Sequence, residues 1–331
     1  MNTRLFGSQG LRVSEIGLGC MAMSGPYGPA DEAESIATIK AAVDAGINLF
    51  DTGDFYGMGH NEMLIRKALS GVDRENLSIS VKFGALRDPY GGWSGYDCRP
   101  EAVKNFLAYS LKRLGIDYID IYRPARLDPA VPIEETIGAI SEMVKAGYVR
   151  YVGLSEVGVE TIRRAAAAHP ICDLQIEYSL ISRGIEGRIL PTCRLLGIGI
   201  TAYGVLSRGL ISGHWNREAA SGDPRGRFPR FTSPNLEHNL SVVEALRVVA
   251  DEKDVSVAQI AIAWVAAQGE DIVPLVGARR RDSLSESLGA CGLTLTADDL
   301  ARIEAAVPPG AGAGQRYAPQ MMKELDSERD G

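Results

Sequence analysis

Short apolar runs rich in β-formers alternate along the chain with amphipathic segments of helical period. After an N-terminal hairpin that is predicted to turn at Gly7–Gly10, this pattern predicts eight strands. The predicted strands are Glu15–Gly19, Asn48–Asp51, Leu77–Lys82, Tyr118–Tyr122, Val149–Gly153, Asp173–Ile176, Gly199–Tyr203 and Ile272–Leu275.

The segments between these runs have the period of helices, and several end on a glycine, as at Leu114-Gly115 and Leu196-Gly197. The predicted helices include Asp31–Ala45, Asn61–Leu69, Pro100–Leu114, Ile133–Ala146, Val159–His169 and Ile189–Leu196. Alternating strands and helices indicate an α/β fold with parallel strands, and eight such units in about 290 residues predict a (β/α)8 TIM barrel. An open doubly wound sheet is the alternative, but Gly17-Leu18-Gly19 lacks the third glycine of its nucleotide-binding turn.

We expect one barrel domain over residues 1–310, followed by a tail over residues 311–331 that is anchored at Arg316-Tyr317. Two connections that follow predicted strands, Gly84–Arg99 and Gly204–Asn239, are too long for simple turns. Because both belong on the C-terminal face of the barrel, we expect them to border a functional site. Trp93 is predicted either to line an apolar pocket or only to pack within its loop.

Composition narrows the function classes further. The 331 residues carry a formal net charge of -7, which disfavours general nucleic-acid binding. The five cysteines form no C-x-x-C pair, the four histidines lack metal-ligand spacing, and no apolar run is long enough to span a membrane. We therefore expect a cytoplasmic protein without a metal or a membrane partner. Composition leaves open a small-molecule substrate and a homo-oligomer.

Candidate chemistry lies at the ends of the second and third predicted strands of the barrel. Asp51 and Lys82 end these strands, and Tyr56 follows five residues after Asp51. Lys82 beside Tyr56 would lower the pKa of the phenol, and Asp51 would keep Lys82 charged, which makes a proton-donating site. A structural ion pair beside a packed tyrosine is the alternative that the spacing leaves open.

Several motifs, taken in order along the chain, resemble the aldo-keto reductase superfamily. They are Gly46–Gly57, Asn61-Glu62, Lys82–Gly84, Ser110–Gly115, Tyr118–Tyr122, Gly153–Glu156, Leu174–Tyr178, Arg208-Gly209 and Arg316-Tyr317. The resemblance implies a barrel that reduces carbonyls with NADPH. It also implies that Asp51, Tyr56 and Lys82 are catalytic residues, with Tyr56 as the proton donor.

The fourth catalytic residue of that family is missing. The family pattern Tyr-x-x-His-Arg is replaced here by Tyr122-Arg123-Pro124-Ala125-Arg126, so Ala125 stands where the histidine belongs. The neighbouring differences favour adaptation of the site over decay. Arg126 is interpreted as a buried or loop-fixing residue, and Arg123 could reach the substrate oxygen.

The resemblance also assigns contacts to the cofactor and the substrate. Ser155 and Gln175 would bind the nicotinamide carboxamide, Tyr203 would stack on the ring, and the loop after Tyr203 would touch the diphosphate. The remaining cofactor candidates are Gly204, Leu206, Arg208, Gly277, Ala278, Arg279, Arg280, Ser283, Glu286 and Ser287, with the arginines after Gly277 placed for the 2′-phosphate. The substrate candidates are Tyr27, Trp93 and Ala125.

The sequence therefore predicts an NADPH-dependent carbonyl reductase or alcohol dehydrogenase that acts on an aldehyde or ketone. One alternative is a non-catalytic or regulatory NADPH-binding protein on the same barrel, since a missing histidine is also a mark of decay. The other is a reductase specialised for a bulky ketone, for which Ala125 opens space.

Overall fold

An N-terminal hairpin covers one end of the barrel. In the computed structural model, which describes residues 1–25, 27–215 and 223–329, β1 (Thr3–Phe6) pairs antiparallel with β2 (Leu11–Ser14). The predicted hairpin is thus confirmed. The hairpin lies across the end of the barrel where the strands begin. Its apolar side chains therefore pack against residues of several barrel strands and form a separate buried cluster with them. The cluster consists of Phe6, Leu11, Val13, Leu49, Ile121, Cys172 and Val273.

Eight parallel strands close into the predicted barrel. These strands are β3 (Gly17–Gly19), β4 (Leu49–Gly53), β5 (Ser78–Phe83), β8 (Ile119–Pro124), β9 (Val149–Ser155), β10 (Ile171–Glu177), β11 (Gly199–Tyr203) and β12 (Ile272–Gly277). The ring closes where Leu275 of β12 pairs with Gly17 of β3. This closure rules out the open doubly wound sheet, and the fold is a (β/α)8 barrel.

Helices follow the strands and cover the outside of the barrel. The α-helices within the described residues are α1 (Glu32–Asp44), α2 (His60–Ala68), α3 (Pro100–Leu114), α4 (Ile133–Lys145), α5 (Val159–Ala168), α6 (Ile189–Leu196), α7 (Asn235–Glu252), α8 (Val257–Ala267), α9 (Arg281–Leu288), α10 (Ala297–Ala306) and α11 (Pro319–Met322). Helices α3 and α6 end at glycines with φ of 68° and 67°, as predicted, because glycine adopts this left-handed conformation without a Cβ clash. None of the helices described is long and apolar enough to cross a membrane.

The first long connection is a second hairpin rather than an irregular loop. Strand β6 (Ala85–Arg87) pairs antiparallel with β7 (Trp93–Tyr96). The Asp88 carboxylate fixes the turn between them, since its Oδ1 accepts hydrogen bonds from the backbone N–H groups of Tyr90 at 2.8 Å and Gly92 at 2.7 Å. Side chain–backbone bonds of this kind leave only a weak signal in the hydrophobic pattern, so the sequence did not predict this hairpin.

The second long connection buries its aromatic residues. Short 3₁₀ turns at Ser207–Ser212, Pro224–Arg227 and Pro229–Phe231 lead into α7, and part of the predicted loop, residues 216–222, lies outside the described residues. Its aromatic side chains are almost fully buried. They are Trp215, Phe228 and Phe231.

Candidate active site

Asp51 and Lys82 form a buried ion pair at the C-terminal end of the barrel. They lie on the adjacent strands β4 and β5, and Lys82 Nζ donates to Asp51 Oδ1. The other carboxylate oxygen of Asp51 accepts from Ser80 Oγ at 2.9 Å and from Gln175 Nε2 at 2.7 Å. The Asp51 side chain is therefore held by three donors, which fixes the position of the Lys82 ammonium group.

Tyr56 lies directly above this pair, on the 3₁₀ turn Tyr56–Gly59 that follows β4. Lys82 Nζ is 5.1 Å from the centroid of the Tyr56 ring, and the Phe55 ring packs edge-on against Tyr56 at 4.8 Å between centroids. The three predicted catalytic residues are thus brought together, with the Lys82 ammonium group bonded to the Asp51 carboxylate and facing the Tyr56 ring. An ammonium group in that position stabilises negative charge on the phenol oxygen.

The predicted fall in the pKa of Tyr56 is wrong for this structure. Burial raises the pKa of Tyr56 well above its usual value, and the Asp51 carboxylate adds to the rise, while the Arg126 guanidinium opposes it. Burial also lowers the pKa of Lys82, although Asp51 favours its charged form. Neighbouring charges alone predict a fall, whereas desolvation is the larger influence on the pKa of both groups here.

Arg123, which was considered as a contact to the substrate oxygen, has a different position. It is fully buried in the barrel and pairs with Asp173, with 2.9 Å between Nη2 and Oδ2. Thr201 Oγ1 donates to the same carboxylate at 2.5 Å. Because Arg123 is held in the interior by Asp173, we do not place it on the substrate.

Ala125 and Arg126 lie at the mouth of the barrel, just beyond β8. Ala125 is buried, and its backbone N–H donates to Phe83 O at 2.8 Å. Arg126 Nη1 donates to Ala125 O at 2.7 Å. The methyl group of Ala125 offers no hydrogen-bond donor at this position, and the next residue along the chain, Arg126, carries a guanidinium.

The nicotinamide candidates line the ends of β9, β10 and β11. Ser155 is buried, and its hydroxyl has no hydrogen-bond partner. Gln175 contacts the Asp51–Lys82 pair through its bond to Asp51. The Tyr203 hydroxyl donates to Glu156 Oε1 at 2.6 Å. An unpartnered buried hydroxyl beside an aromatic ring and an amide can bind an amide-bearing ring.

The diphosphate candidates follow β11 on a backbone with left-handed residues. Gly204 and Arg208 have φ of 68° and 58°, and Leu206 lies half-buried between them. The Arg208 guanidinium stacks over Phe228 and Tyr317, at 4.3 and 4.5 Å from the ring centroids. A guanidinium held in this way against two rings is suited to bind an anion.

The segment after β12 carries the remaining cofactor candidates. Arg279 is half-buried, and its guanidinium contacts the backbone carbonyls of residues 27–29. Arg280 is exposed, and its guanidinium pairs with Asp282 at 2.8 Å. Gly277 is exposed and a Cβ there would meet no neighbour, whereas Ala278 beside it is buried. Open space beside two arginines is compatible with a phosphate group.

The cofactor candidates on α9 already have contacts within the protein. The Glu286 carboxylate pairs with His214 at 2.9 Å, so the long connection after β11 reaches this helix. Ser287 Oγ donates to Ser283 O at 2.9 Å, and the Ser283 N–H donates to Asp282 Oδ1 at 2.6 Å.

The substrate candidates lie on two sides of the mouth. Trp93 on β7 packs edge-on against Phe55 at 6.0 Å and Tyr96 at 5.3 Å between ring centroids, so it contributes to an aromatic wall beside Tyr56. Tyr27 is half-buried, and burial raises the pKa of its phenol while Arg208 opposes the rise.

Glu156 connects several residues at the mouth of the barrel, a role that was not predicted from the sequence. Its carboxylate binds Arg316 with two bonds, at 2.8 and 2.6 Å, and also accepts from Ser327 Oγ at 2.7 Å. The Tyr203 and Tyr317 hydroxyls are 2.9 Å apart. Glu156 has a left-handed φ of 54°, a local strain typical of functional sites. The motif containing Glu156 was a signal, but the sequence did not reveal its partners.

The described residues contain no group of His, Cys, Asp and Glu side chains able to hold a metal ion.

Comparison with known proteins identifies the class to which this chain belongs. Residues 15–308 match the model of the aldo/keto reductase family, and the chain belongs to that family. It is therefore an oxidoreductase, and members of the family typically use a nicotinamide cofactor.

Individual relatives agree with this assignment. A probable aldo-keto reductase from Glycine max is 42% identical over 313 residues, which cover 94% of this chain and 90% of the relative. A glycerol dehydrogenase from Gluconobacter oxydans superposes with a TM-score of 0.84 at 29% identity, covering 93% of this chain and 96% of the other. An aldo-keto reductase from Bacillus halodurans, solved in its holo form, gives 0.79 at 28% identity, covering 96% and 100%.

Proposed function

We propose that this protein is an NADPH-dependent carbonyl reductase or alcohol dehydrogenase in which Tyr56 donates the proton to an aldehyde or ketone oxygen. The observation that carries this proposal is the Lys82 ammonium group, fixed by Asp51 and facing the Tyr56 ring at 5.1 Å. The free thiols of all five cysteines suit a reducing cytoplasm.

The residues present fit a nicotinamide cofactor. Ser155 supplies a buried hydroxyl without a partner, and it would hold the carboxamide together with Gln175, while Tyr203 would stack on the ring. Arg279 and Arg280 would bind the 2′-phosphate of NADPH, and to do so they would exchange present contacts for it. When bound, the cofactor supplies or accepts the hydride at the carbonyl carbon.

The acid–base chemistry belongs to the chain itself. Because burial raises the pKa of Tyr56, its phenol is protonated at neutral pH and can donate its O–H to the substrate oxygen. The phenolate left behind is stabilised by the Lys82 ammonium group. In the oxidation direction the same phenolate takes the proton from the alcohol.

The Tyr56→Phe variant tests this assignment, because it removes only the acidic hydroxyl. We expect kcat for carbonyl reduction to fall by roughly 10²–10⁴-fold, with the NADPH dissociation constant nearly unchanged. Tyr90→Phe is the matched control, since Tyr90 is 99% exposed. Near-wild-type turnover by Tyr56→Phe would show that another group donates the proton.

The cofactor assignment is tested by the double variant Arg279→Ala with Arg280→Ala. We expect NADPH binding to weaken by about tenfold or more while NADH binding changes little, because charged hydrogen bonds of roughly 1.5–3 kcal/mol each are lost only with the 2′-phosphate. Arg302→Ala, at an exposed ion pair with Glu252 on the outer helices, is the control. Equal losses for the two cofactors would place the 2′-phosphate elsewhere.

A further inference from the structure

Arg126 is a cation at the mouth of the barrel without an acidic partner. Its Nη1 donates to the backbone oxygen of Ala125 at 2.7 Å, and among residues 1–25, 27–215 and 223–329 no carboxylate lies within the 4.0 Å of an ion pair. A guanidinium has five N–H donors in a planar fork, so most of this capacity remains available. The other arginines of the inner site have acidic or aromatic partners, as Arg123 has Asp173.

The acid that acts most directly on Arg126 is already engaged. Glu156 attracts Arg126 at a distance, but both of its oxygens are bound by Arg316, and it also accepts from Tyr203 and Ser327. Since both oxygens of this carboxylate are bound by Arg316, Arg126 has no hydrogen bond to it. Arg126 is half-buried, and its unused N–H donors can therefore bind a ligand that carries an anion.

Arg126 lies at the same end of the barrel as Lys82 and Tyr56, because the N–H of Ala125 donates to Phe83 O at the end of β5, one residue beyond Lys82. The groups that interact electrostatically with its guanidinium come from separate segments around the mouth, which include the turn of Tyr56, strand β5 with Lys82, hairpin strand β7 with Tyr96, and β11 with Tyr203. Ala125 beside it has no side chain that could shield it or donate a hydrogen bond. A substrate carbonyl held by Tyr56 would therefore lie on the same face of the barrel as Arg126.

We propose that Arg126 binds the substrate with two N–H groups, one to the carbonyl oxygen and one to an anionic oxygen on a neighbouring atom. The natural substrates are then carbonyl compounds with a carboxylate or a phenolate beside the carbonyl, because a guanidinium fork matches two adjacent oxygens. This inference rests on the proposed carbonyl reductase function. In this proposal Arg126, for which the sequence predicts a structural role, makes the contact to the substrate oxygen that the missing histidine would make.

Two matched pairs of substrates test the proposal with NADPH. Phenylglyoxylate is compared with its methyl ester, and salicylaldehyde at alkaline pH with its methyl ether, so that each pair differs in the anionic oxygen. We expect the wild-type kcat/KM to favour the anionic member of at least one pair by about tenfold or more, as a charge-assisted bond implies. The pair that shows the preference identifies the carboxylate or the phenolate as the source of the anion.

The Arg126→Gln variant then isolates the charge, because glutamine keeps an N–H donor for the carbonyl oxygen. We expect KM for the preferred anionic substrate to rise by roughly 10- to 100-fold, and kcat/KM for the neutral partner to change by less than about threefold. Arg99→Gln is the control, since Arg99 is exposed and pairs with Asp97 outside the barrel mouth. Arg126→Lys keeps the positive charge but lacks the two-pronged guanidinium, and it should retain part of the preference for the anionic substrate. Thermal unfolding checks that each variant is folded.

Two results would overturn the inference. One is a wild-type enzyme that reduces the neutral members of both pairs as well as the anionic ones. The other is an Arg126→Gln enzyme in which kcat/KM falls by the same factor for all four compounds. If Arg126→Gln does not fold, the same result with Arg126→Lys counts. Neither result touches the proposed function, which fails instead if Tyr56→Phe keeps its turnover or if no carbonyl compound is reduced.

Discussion

Two buried ion pairs lie side by side inside the barrel, and they differ in what surrounds them. Lys82 and Arg123 are directly paired in register on β5 and β8, and their partners are Asp51 and Asp173. Asp51 is held by Lys82 and by two further donors, and the phenol of Tyr56 faces Lys82. Arg123 and Asp173 have no exposed surface at all, and Nε and Nη1 of Arg123 have no partner.

The comparison shows that burial and charge pairing alone do not distinguish the two ion pairs. Burial raises the pKa of Asp173 even though Arg123 opposes the rise, and burial lowers the pKa of Lys82 even though Asp51 opposes the fall. Each of the two pairs therefore has a desolvation cost. What distinguishes the Asp51–Lys82 pair is the neighbouring phenol of Tyr56, which we propose exchanges a proton with the substrate.

The largest expected effect of breaking either pair is on activity. In Lys82→Met the phenolate of Tyr56 loses its stabilising cation, and we expect kcat for carbonyl reduction to fall by roughly 10²–10⁴-fold. Steady-state kinetics and an NADPH titration measure this effect. Lys104→Met, at an exposed pair with Glu142, is the control. If Lys82→Met kept its turnover, the two pairs would have the same structural role.

The second pair should show its effect in stability. Arg123→Met leaves Asp173 buried without its counter-ion, and we expect the free energy of unfolding to fall by about 3–5 kcal/mol. Denaturant unfolding measures the loss, and Arg164→Met, at an exposed pair with Glu134, should change it by about 1 kcal/mol or less. The double variant Arg123→Met with Asp173→Leu should recover most of the loss. A double variant no more stable than the single one would contradict this account.

The smallest effect concerns the space beside the second pair. A Cβ on Gly153 would lie 2.6 Å from Asp173 Oδ1 and 2.9 Å from Arg123 Nε, so we expect Gly153→Ala to destabilise the protein by about 1–3 kcal/mol. Gly138→Ala in α4 is the control, because a Cβ there meets nothing and should add about 0.5–1 kcal/mol of stability. Thermal unfolding distinguishes the two, and equal midpoints would show that the pair moves aside without cost.

The sequence by itself determined the order and type of the barrel elements. Apolar periodicity and helix-ending glycines are local properties, so the eight strands and the ends of α3 and α6 at Gly115 and Gly197 could be predicted from them. Strand ends in a parallel barrel share one face, and for that reason Asp51, Tyr56 and Lys82 could be placed together before any coordinates were known.

Only the tertiary structure decided which partners these side chains have. Gln175 bonds to Asp51 from 124 residues away, and Arg316 binds Glu156 across 160 residues of chain. No local pattern encodes such distances, because several strands and the tail must meet before the bonds can form. Burial has the same origin, since it depends on the whole packed barrel, and it is the reason that the pKa of Tyr56 rises where local charge alone predicted a fall.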